Sequence, residues 1–441
     1  MRRVAAGLVF AIVAAGCASE PAQTSTPAAP QADPCQLEPM SGSRRVTILA
    51  WRFAATEHVT QEMRSCGEVP GLDVEVQMLP PEQVKRQSDL AMSSGAVSPF
   101  DIIHTNPDKV VGQAAHGWVY PLDALIERYR EHYQLDDIPQ SFWDAFTVGG
   151  HVYAVPFIGN AQVLFYRRDL FEQYGLKPPA TLAEWYAAAE RLAHIPEVPY
   201  PLAVPLRGNA LTQEFSNALL ASGGRWYDDR GEPAFAGPAG VRAFETLSRL
   251  RDLGPRPMLS FTNDDVMVAL LQNQVAMALM WLSRGVEMEN PQISNVVGRI
   301  GYAATPVEVP GGVPYGSLGF DGWMIPANAK DPELSFRIVM EGVDAASMRG
   351  AAAYAVPARR PIATAPDVVR QFPWLVAGSA NVARGAAALP AVATFNPMAT
   401  AIQPVLARGL ANRLPAATVV DEMDRAVRLL LAEQGRSRRQ P

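Results

Sequence analysis

Val46-Thr47-Ile48-Leu49-Ala50-Trp51 is a short, nearly continuous apolar run with β-branched members. Such a run is expected of a strand buried on both faces. Residues 59–64 then have helical spacing, and Leu72-Asp73-Val74-Glu75-Val76-Gln77-Met78 alternates with period two as a second strand. Residues 81–93 read as a helix with proline at its start. Phe100-Asp101-Ile102-Ile103-His104 is a third strand, ended by Thr105-Asn106-Pro107. Residues 109–116 form a helix with Gly117 just past its end. Strand alternates with helix over about 70 residues, the pattern of an α/β fold with a parallel sheet covered on both sides. In such sheets ligands sit beyond the carboxyl ends of the strands. Those ends are Trp51-Arg52, Met78-Leu79 and His104-Thr105-Asn106.

The chain has 441 residues, 48% of them apolar, enough for a large core and more than one ordinary domain. Charged residues are 19% and the net charge is −6. That balance supplies no basic field, so no nucleic-acid partner is expected. The 38 prolines and 33 glycines are scattered, unlike those of a collagen-like or low-complexity chain. Three cysteines without CxxC spacing argue against a disulfide scaffold and against structural zinc. Neither a metal nor a cofactor is expected.

Met1-Arg2-Arg3 is a basic start to an uninterrupted apolar or small run over residues 4–15. The run is too short to span a bilayer, which takes about 20 helical residues, and it fits a secretory signal. Ala14-Ala15-Gly16-Cys17 resembles a bacterial lipobox, with Ala14 where leucine is usual. The resemblance implies a signal peptide over 1–16 and a lipid on Cys17, which would tie the protein to the membrane. The other reading is an ordinary cleaved signal with Cys17 incidental. Residues 18–43 are rich in Pro, Ala, Ser, Thr and Gln without apolar periodicity, so 17–44 read as a disordered tether. Cys35 and Cys66 remain. Outside the cytoplasm they are expected to pair, pinning the tether's end to the body; two free thiols are the alternative.

Further along, Thr181 with Glu184 has the form of a capping box opening a helix over 181–193. Residues 212–221 and 240–253 are further helices, and Thr262-Asn263-Asp264-Asp265 opens another with acids in its first turn. Residues 274–281, 300–303 and 323–325 are strand candidates. Val419, Val420, Met423, Ala426, Val427, Leu430 and Leu431 recur at helical spacing, so an amphipathic helix docks near the end. Residues 436–441 read as a frayed tail.

Several segments together resemble the carbohydrate branch (family 1) of the extracellular solute-binding proteins of ABC importers. They include Val119-Tyr120-Pro121-Leu122-Asp123, Gly150-His151-Val152-Tyr153-Ala154-Val155-Pro156-Phe157, and Leu164-Phe165-Tyr166-Arg167-Arg168-Asp169-Leu170-Phe171. Pro179-Ala180-Thr181-Leu182, Gly223-Gly224 before Trp226, Ala276-Met277 before Trp281, Gly319-Phe320-Asp321-Gly322-Trp323, and Val356-Pro357-Ala358-Arg359 follow in order. The resemblance implies a type II periplasmic-binding-protein-like fold. Two α/β lobes are joined by three hinge crossings, near 158–163, 318–321 and 354–359, with the ligand cleft between them. The first lobe is expected to hold 45–158 and 320–354, the second 159–319 and 355–435. Such lobes close on a ligand by hinge bending.

Sugars present flat C–H faces and rings of hydroxyls, so a binder uses aromatic planes and paired polar groups. Trp281 matches the family's cleft tryptophan after Ala-Met, and Trp51 ends the first strand. Trp226 suits either cleft or core, whereas Trp143 and Trp185 suit the core. Asn106 and Asp108 lie where the family places hydroxyl-binding side chains, and both types also suit a turn and helix cap. The Asn160 amide can both donate and accept. Phe320 and Asp321 stand where the family commonly has a glycine and a small residue, so the pocket differs in shape. The Asp321 carboxylate is suited to two hydroxyls or a cation. Arg359 near the third crossing is a further candidate, and Arg284 a weaker one.

No HExxH, GxSxG, Walker or GxGxxG signature is present. The adjacent acid pairs do not suit a glycosidase, whose carboxylates face each other about 5–10 Å apart. The expectation is therefore a monomeric, non-enzymatic, exported lipoprotein that binds an oligosaccharide or polyol and passes it to permease subunits. A sensor or adhesion role on the same fold, and an exported glycoside hydrolase, are the alternatives.

Overall fold

The computed structural model describes residues 35–392 and 394–437. The opening α/β alternation forms as β1 (Arg44–Trp51), α1 (Ala54–Ser65), β2 (Leu72–Leu79), α2 (Pro81–Ser93), β3 (Ile102–Thr105) and α3 (Pro107–Ala115). β1 lies between β2 and β3 and is parallel to both. That central place explains its continuous apolar run, while β2 alternates because it is the edge strand.

The sheet is not parallel throughout. The strand Ser317–Met324 inserts antiparallel between β3 and the long strand Ala154–Arg167. The long strand continues into pairing with Val275–Trp281 and Ile300–Ala303. It crosses between cores: Val155, Phe157 and Ile158 belong to one buried cluster, Ala161, Val163, Leu164 and Phe165 to another. Gly159 and Asn160 lie at the change. There Val356–Pro357 pairs with Gly159 and Ile158 on one side, and Phe320 and Asp321 pair with the same two residues on the other. The three crossing segments are thus hydrogen-bonded side by side. Gly159 has no room for a side chain, because a Cβ would lie 2.9 Å from the Phe142 ring.

One core gathers Ile48, Val59, Ile102, Phe157, Trp323, Phe336 and Met340, with a satellite around Leu49, Phe100 and Phe146. The other gathers Phe165, Trp185, Phe215, Phe244, Leu279 and the helices Phe395–Ala411 and Ala416–Ser437. Val419, Val420, Met423 and Val427 are buried in it, the face expected of the terminal amphipathic helix. That helix runs through Ser437, two residues into the stretch expected to fray.

Residues 35–43 correct the expected extent of the tether. Cys35 and Cys66 are joined in a disulfide, with Cα atoms 5.0 Å apart. Leu37 is buried in the first core, and the amide nitrogens of Gln36 and Met40 donate to Glu341 Oε2 and the Pro70 carbonyl. Burial and hydrogen bonding hold this segment on the body. Residues 1–34, which include the expected signal peptide and Cys17, lie outside the described residues. Ala355, Ala358 and Ile362 pack in the first core, although the sequence reading assigns 355–362 to the second lobe.

Candidate functional site

The carboxyl ends of β1 and β3 meet the antiparallel strand Ser317–Met324, and this junction assembles a polar group. His104 is buried in β3. Its ring stacks on Trp51 with centroids 3.4 Å apart, and its Nε2 lies 3.2 Å from Asp321 Oδ1. Its Nδ1 lies 3.4 Å from the Thr56 hydroxyl. A carboxylate only accepts, so Nε2 carries the proton and Nδ1 accepts from Thr56. Burial lowers the His104 pKa, against the raising effect of Asp321, which keeps the ring neutral at pH 7. Lys109 Nζ stands 4.1 Å from the Trp51 ring centroid. Between these neighbours Trp51 is 8% exposed. It supports His104 and offers little open face of its own.

Asn106 stands at the start of α3, where a cap is expected, yet its side chain makes no capping bond. Its Oδ1 is buried without a hydrogen-bond partner. Thr105 pairs with Gly322, so the next residue, Asn106, falls beside Asp321. Asp108 is raised in pKa mainly by burial, opposed by Lys109 and by a hydrogen bond from Asn396, and raised further by the like charge of Asp321. Asn396 belongs to the helix Phe395–Ala411, whose buried residues lie in the second core. Asp108 and Asn396 therefore meet from elements of the two cores.

A second half of the group lies along the crossing strands. Asn160 pairs with Gly319, and Asp321 is two residues further, about 7 Å along the strand and on the same face. Asn160 Nδ2 donates to Ser283 Oγ at 3.1 Å, while its Oδ1 is buried without a partner. The Trp281 ring lies over Gly319, where a Cβ would come within 3.3 Å of it. Trp281 is half-buried at the end of its strand.

Next to Trp281 the polar group continues inward. Gln162, paired with Trp281, donates to Glu214 Oε1 at 2.9 Å, and the Tyr315 hydroxyl donates to Glu214 Oε2 at 3.0 Å. Gln162 Oε1 accepts from Asn217 and from the Ser317 amide, and Asn381 donates to the Gln162 carbonyl. This buried network braces two crossing strands against two helices. Burial pushes the Glu214 pKa up to about 7, despite the donors from Gln162, Tyr315 and Asn217.

Two candidates are corrected. Trp226 is 3% exposed, donates from Nε1 to Ser216 Oγ, and packs among Phe215, Phe235 and Phe395. It is a core residue, because its one polar atom is satisfied inside the second core. Arg359 is 4% exposed and donates to the carbonyls of Tyr133, Gln134 and Val343 within the first lobe. Its fork is consumed in tying backbone segments together. Arg284 is paired with Asp264 and Glu287. Phe320 packs edge to face on Phe142, on the opposite face of its strand from Asp321. Two surface cavities lie elsewhere. One of about 250 Å³ is lined by Ser43, Arg45, Asp101 and Lys330, and one of about 450 Å³ by Thr181, Val307, Pro310 and Arg384.

From the sequence, His104 stands out only as the end of its strand, and Lys109, Ser283 and Asn396 do not stand out at all. His104 had one usable signal, an ionisable residue ending an apolar strand at the sheet's binding edge. Asn396 had none.

Residues 66–344 match the profile of the bacterial extracellular solute-binding proteins. The chain belongs to that family. A mannitol-binding protein of Pseudomonas aeruginosa is 31% identical over 242 residues, 52% of each chain. A lactose-binding protein of Rhizobium radiobacter is 27% identical over 48% of this chain and 54% of its own length. The chain thus spans about half the length of these relatives. Among solved structures, a solute-binding protein of Agrobacterium radiobacter in complex with ribitol superposes with a TM-score of 0.78 at 21% identity, covering 89% of this chain and 100% of that one. One from Agrobacterium vitis with bound D-mannitol gives 0.74 at 21% identity, covering 89% and 99%. The two-lobed periplasmic-binding-protein fold is therefore that of this family member. Among the described residues no helix is long and apolar enough to cross a membrane.

Proposed function

We propose that this chain is the lipid-anchored substrate-binding subunit of an ABC importer, which captures a polyol or sugar by hinge closure and delivers it unchanged to membrane permease subunits. The observation that carries this reading is the group at the hinge. A tryptophan plane (Trp281), two buried amide oxygens without partners (Asn106, Asn160) and a carboxylate (Asp321) gather where three crossing segments lie side by side. Hydroxyls complete such acceptors, and the C–H face of a polyol suits the indole. The names of the relatives, which bind mannitol and lactose, support the same class. The lobes are taken to turn about Gly159 and Asn160, with Asp108 and Asn396 meeting as they close. Export and acylation at Cys17 rest on the N-terminal sequence, as does attachment to the outer side of the cell membrane. The chain works as a monomer and catalyses no reaction on its guest.

The test is a thermal-shift screen of the soluble body against D-mannitol, ribitol, maltose and lactose. A true ligand at a hundred times its dissociation constant adds about 2.7 kcal/mol of stability. No shift with any of the four, or recovery of a chemically altered sugar, overturns the reading.

A further inference from the structure

We propose that Asp321, held in place by His104, is a charge filter that makes the cleft accept hydroxylated guests and reject their acidic congeners. This rests on the polyol reading above and deepens it.

Asp321 has a neutral, buried partner, since His104 donates to Oδ1 without neutralising the charge. The Asp321 side chain keeps 17% of its surface exposed, so the carboxylate is held yet still reachable. Asp108 is near enough for the two acids to repel. Asn106 and Asn160 each add a buried oxygen that lacks a hydrogen. Two donors of the same group are engaged: His104 Nε2 with Asp321 and Asn160 Nδ2 with Ser283. Lys109 is held over Trp51 and beside Asp108, one cation against two acids.

A hydroxyl brought to this surface supplies the missing hydrogens. A carboxylate or phosphate brought there sets lone pairs against lone pairs and adds a like charge where water is excluded. Specificity of this kind comes from a built-in mismatch with the wrong partner, and not only from contacts to the right one. The His104 tautomer matters because a protonated imidazolium would cancel the Asp321 charge. Thr56, donating to Nδ1, occupies the site where that second proton would go.

The experiment is isothermal titration of the chain, lacking only the signal peptide, with D-mannitol, ribitol and D-gluconate. The alditol that binds is expected to bind about 100-fold tighter than gluconate, the order expected of like-charge juxtaposition at a binding surface. Asp321→Asn is expected to close that gap to about tenfold or less, chiefly by admitting the acid. Asp108→Asn serves as a second variant should the first fold poorly, and is expected to narrow the gap to a smaller extent. His104→Phe keeps the ring on Trp51 and removes the N–H. It is expected to weaken alditol binding, and to add little when combined with Asp321→Asn. In ¹⁵N-histidine spectra His104 is expected as the Nε2–H tautomer across pH 6–8, a readout independent of any ligand. Gluconate binding as tightly as the alditols overturns the filter and leaves the polyol reading standing. An unchanged ratio in Asp321→Asn and Asp108→Asn, or a protonated His104 at pH 7, also overturns the filter. Binding of none of the alditols, maltose or lactose overturns the polyol reading and the filter with it.

Discussion

Glu214 receives the side-chain amide of Gln162 at 2.9 Å in the interior of the second core, with no cation beside it. Its carboxyl is pushed up to about 7 by burial, whereas the unfolded chain holds it near 4.5. The folded state therefore keeps this proton over a range where the unfolded state releases it. Stability from the group is complete below about pH 4.5, declines as pH rises towards 7, and is flat above. The total is roughly 3 kcal/mol. In Glu214→Gln this part of the pH dependence is expected to vanish. Urea unfolding of both proteins at pH 5 and pH 8 checks it, and equal pH slopes would count against the account.

The Cys35–Cys66 disulfide closes a separation of 31 residues. By loop entropy it contributes about 3–4 kcal/mol. Cys35→Ser, or a reductant, is expected to lower the melting temperature and to make the 35–43 segment accessible to protease. Ligand affinity should be unaffected, since Cys66 is buried at the end of α1, away from Asp321.

Trp226 and Trp281 make a paired test of core against cleft. Trp226→Ala removes a ring packed on three phenylalanines and is expected to cost about 3–5 kcal/mol of stability. Trp281→Ala is expected to cost less stability and to abolish the ligand-induced thermal shift. A retained shift in Trp281→Ala removes that residue from the site.

The Asp108–Asn396 contact joins the two cores. If it forms chiefly in the closed form, Asn396→Ala should weaken ligand binding about tenfold while leaving unfolding in the absence of ligand nearly unchanged. X-ray scattering with and without ligand should show a larger open population in the variant. An unaltered affinity separates the contact from closure.

The first third of the fold was legible because its strands and helices carry their own periodicity. β1 reads as buried on both faces because it is central, and β2 alternates because it lies at the edge. Thr181 signalled its helix through a capping box and Thr262-Asn263-Asp264-Asp265 through acids in the first turn; both helices form, and Thr262 adds a capping box of its own. The strand Ser317–Met324 was legible as a short strand candidate and a crossing, but its antiparallel place between β3 and the long strand was not. Its partners, β3 and the long strand, lie some 160 to 220 residues away in the chain, and pairing over such separations leaves no local pattern.

The amino-acid order alone determined the α/β class and the family, and singled out Asn106, Asp108, Asn160, Trp281 and Asp321 as candidates. Only the tertiary structure decided which of the candidates serve the core. Trp226 and Arg359 carry side chains as fit for a ligand as Trp281 and Arg284, and nothing in their neighbours in sequence tells otherwise. Their fate was settled by what distant segments bring against them: Phe395 and Ser216 for the one, the carbonyls of Tyr133, Gln134 and Val343 for the other. Likewise His104 gains its role from Asp321, 217 residues on. A side chain's chemistry is written in its own code, but its partners and its share of water are set by the packing of the whole chain.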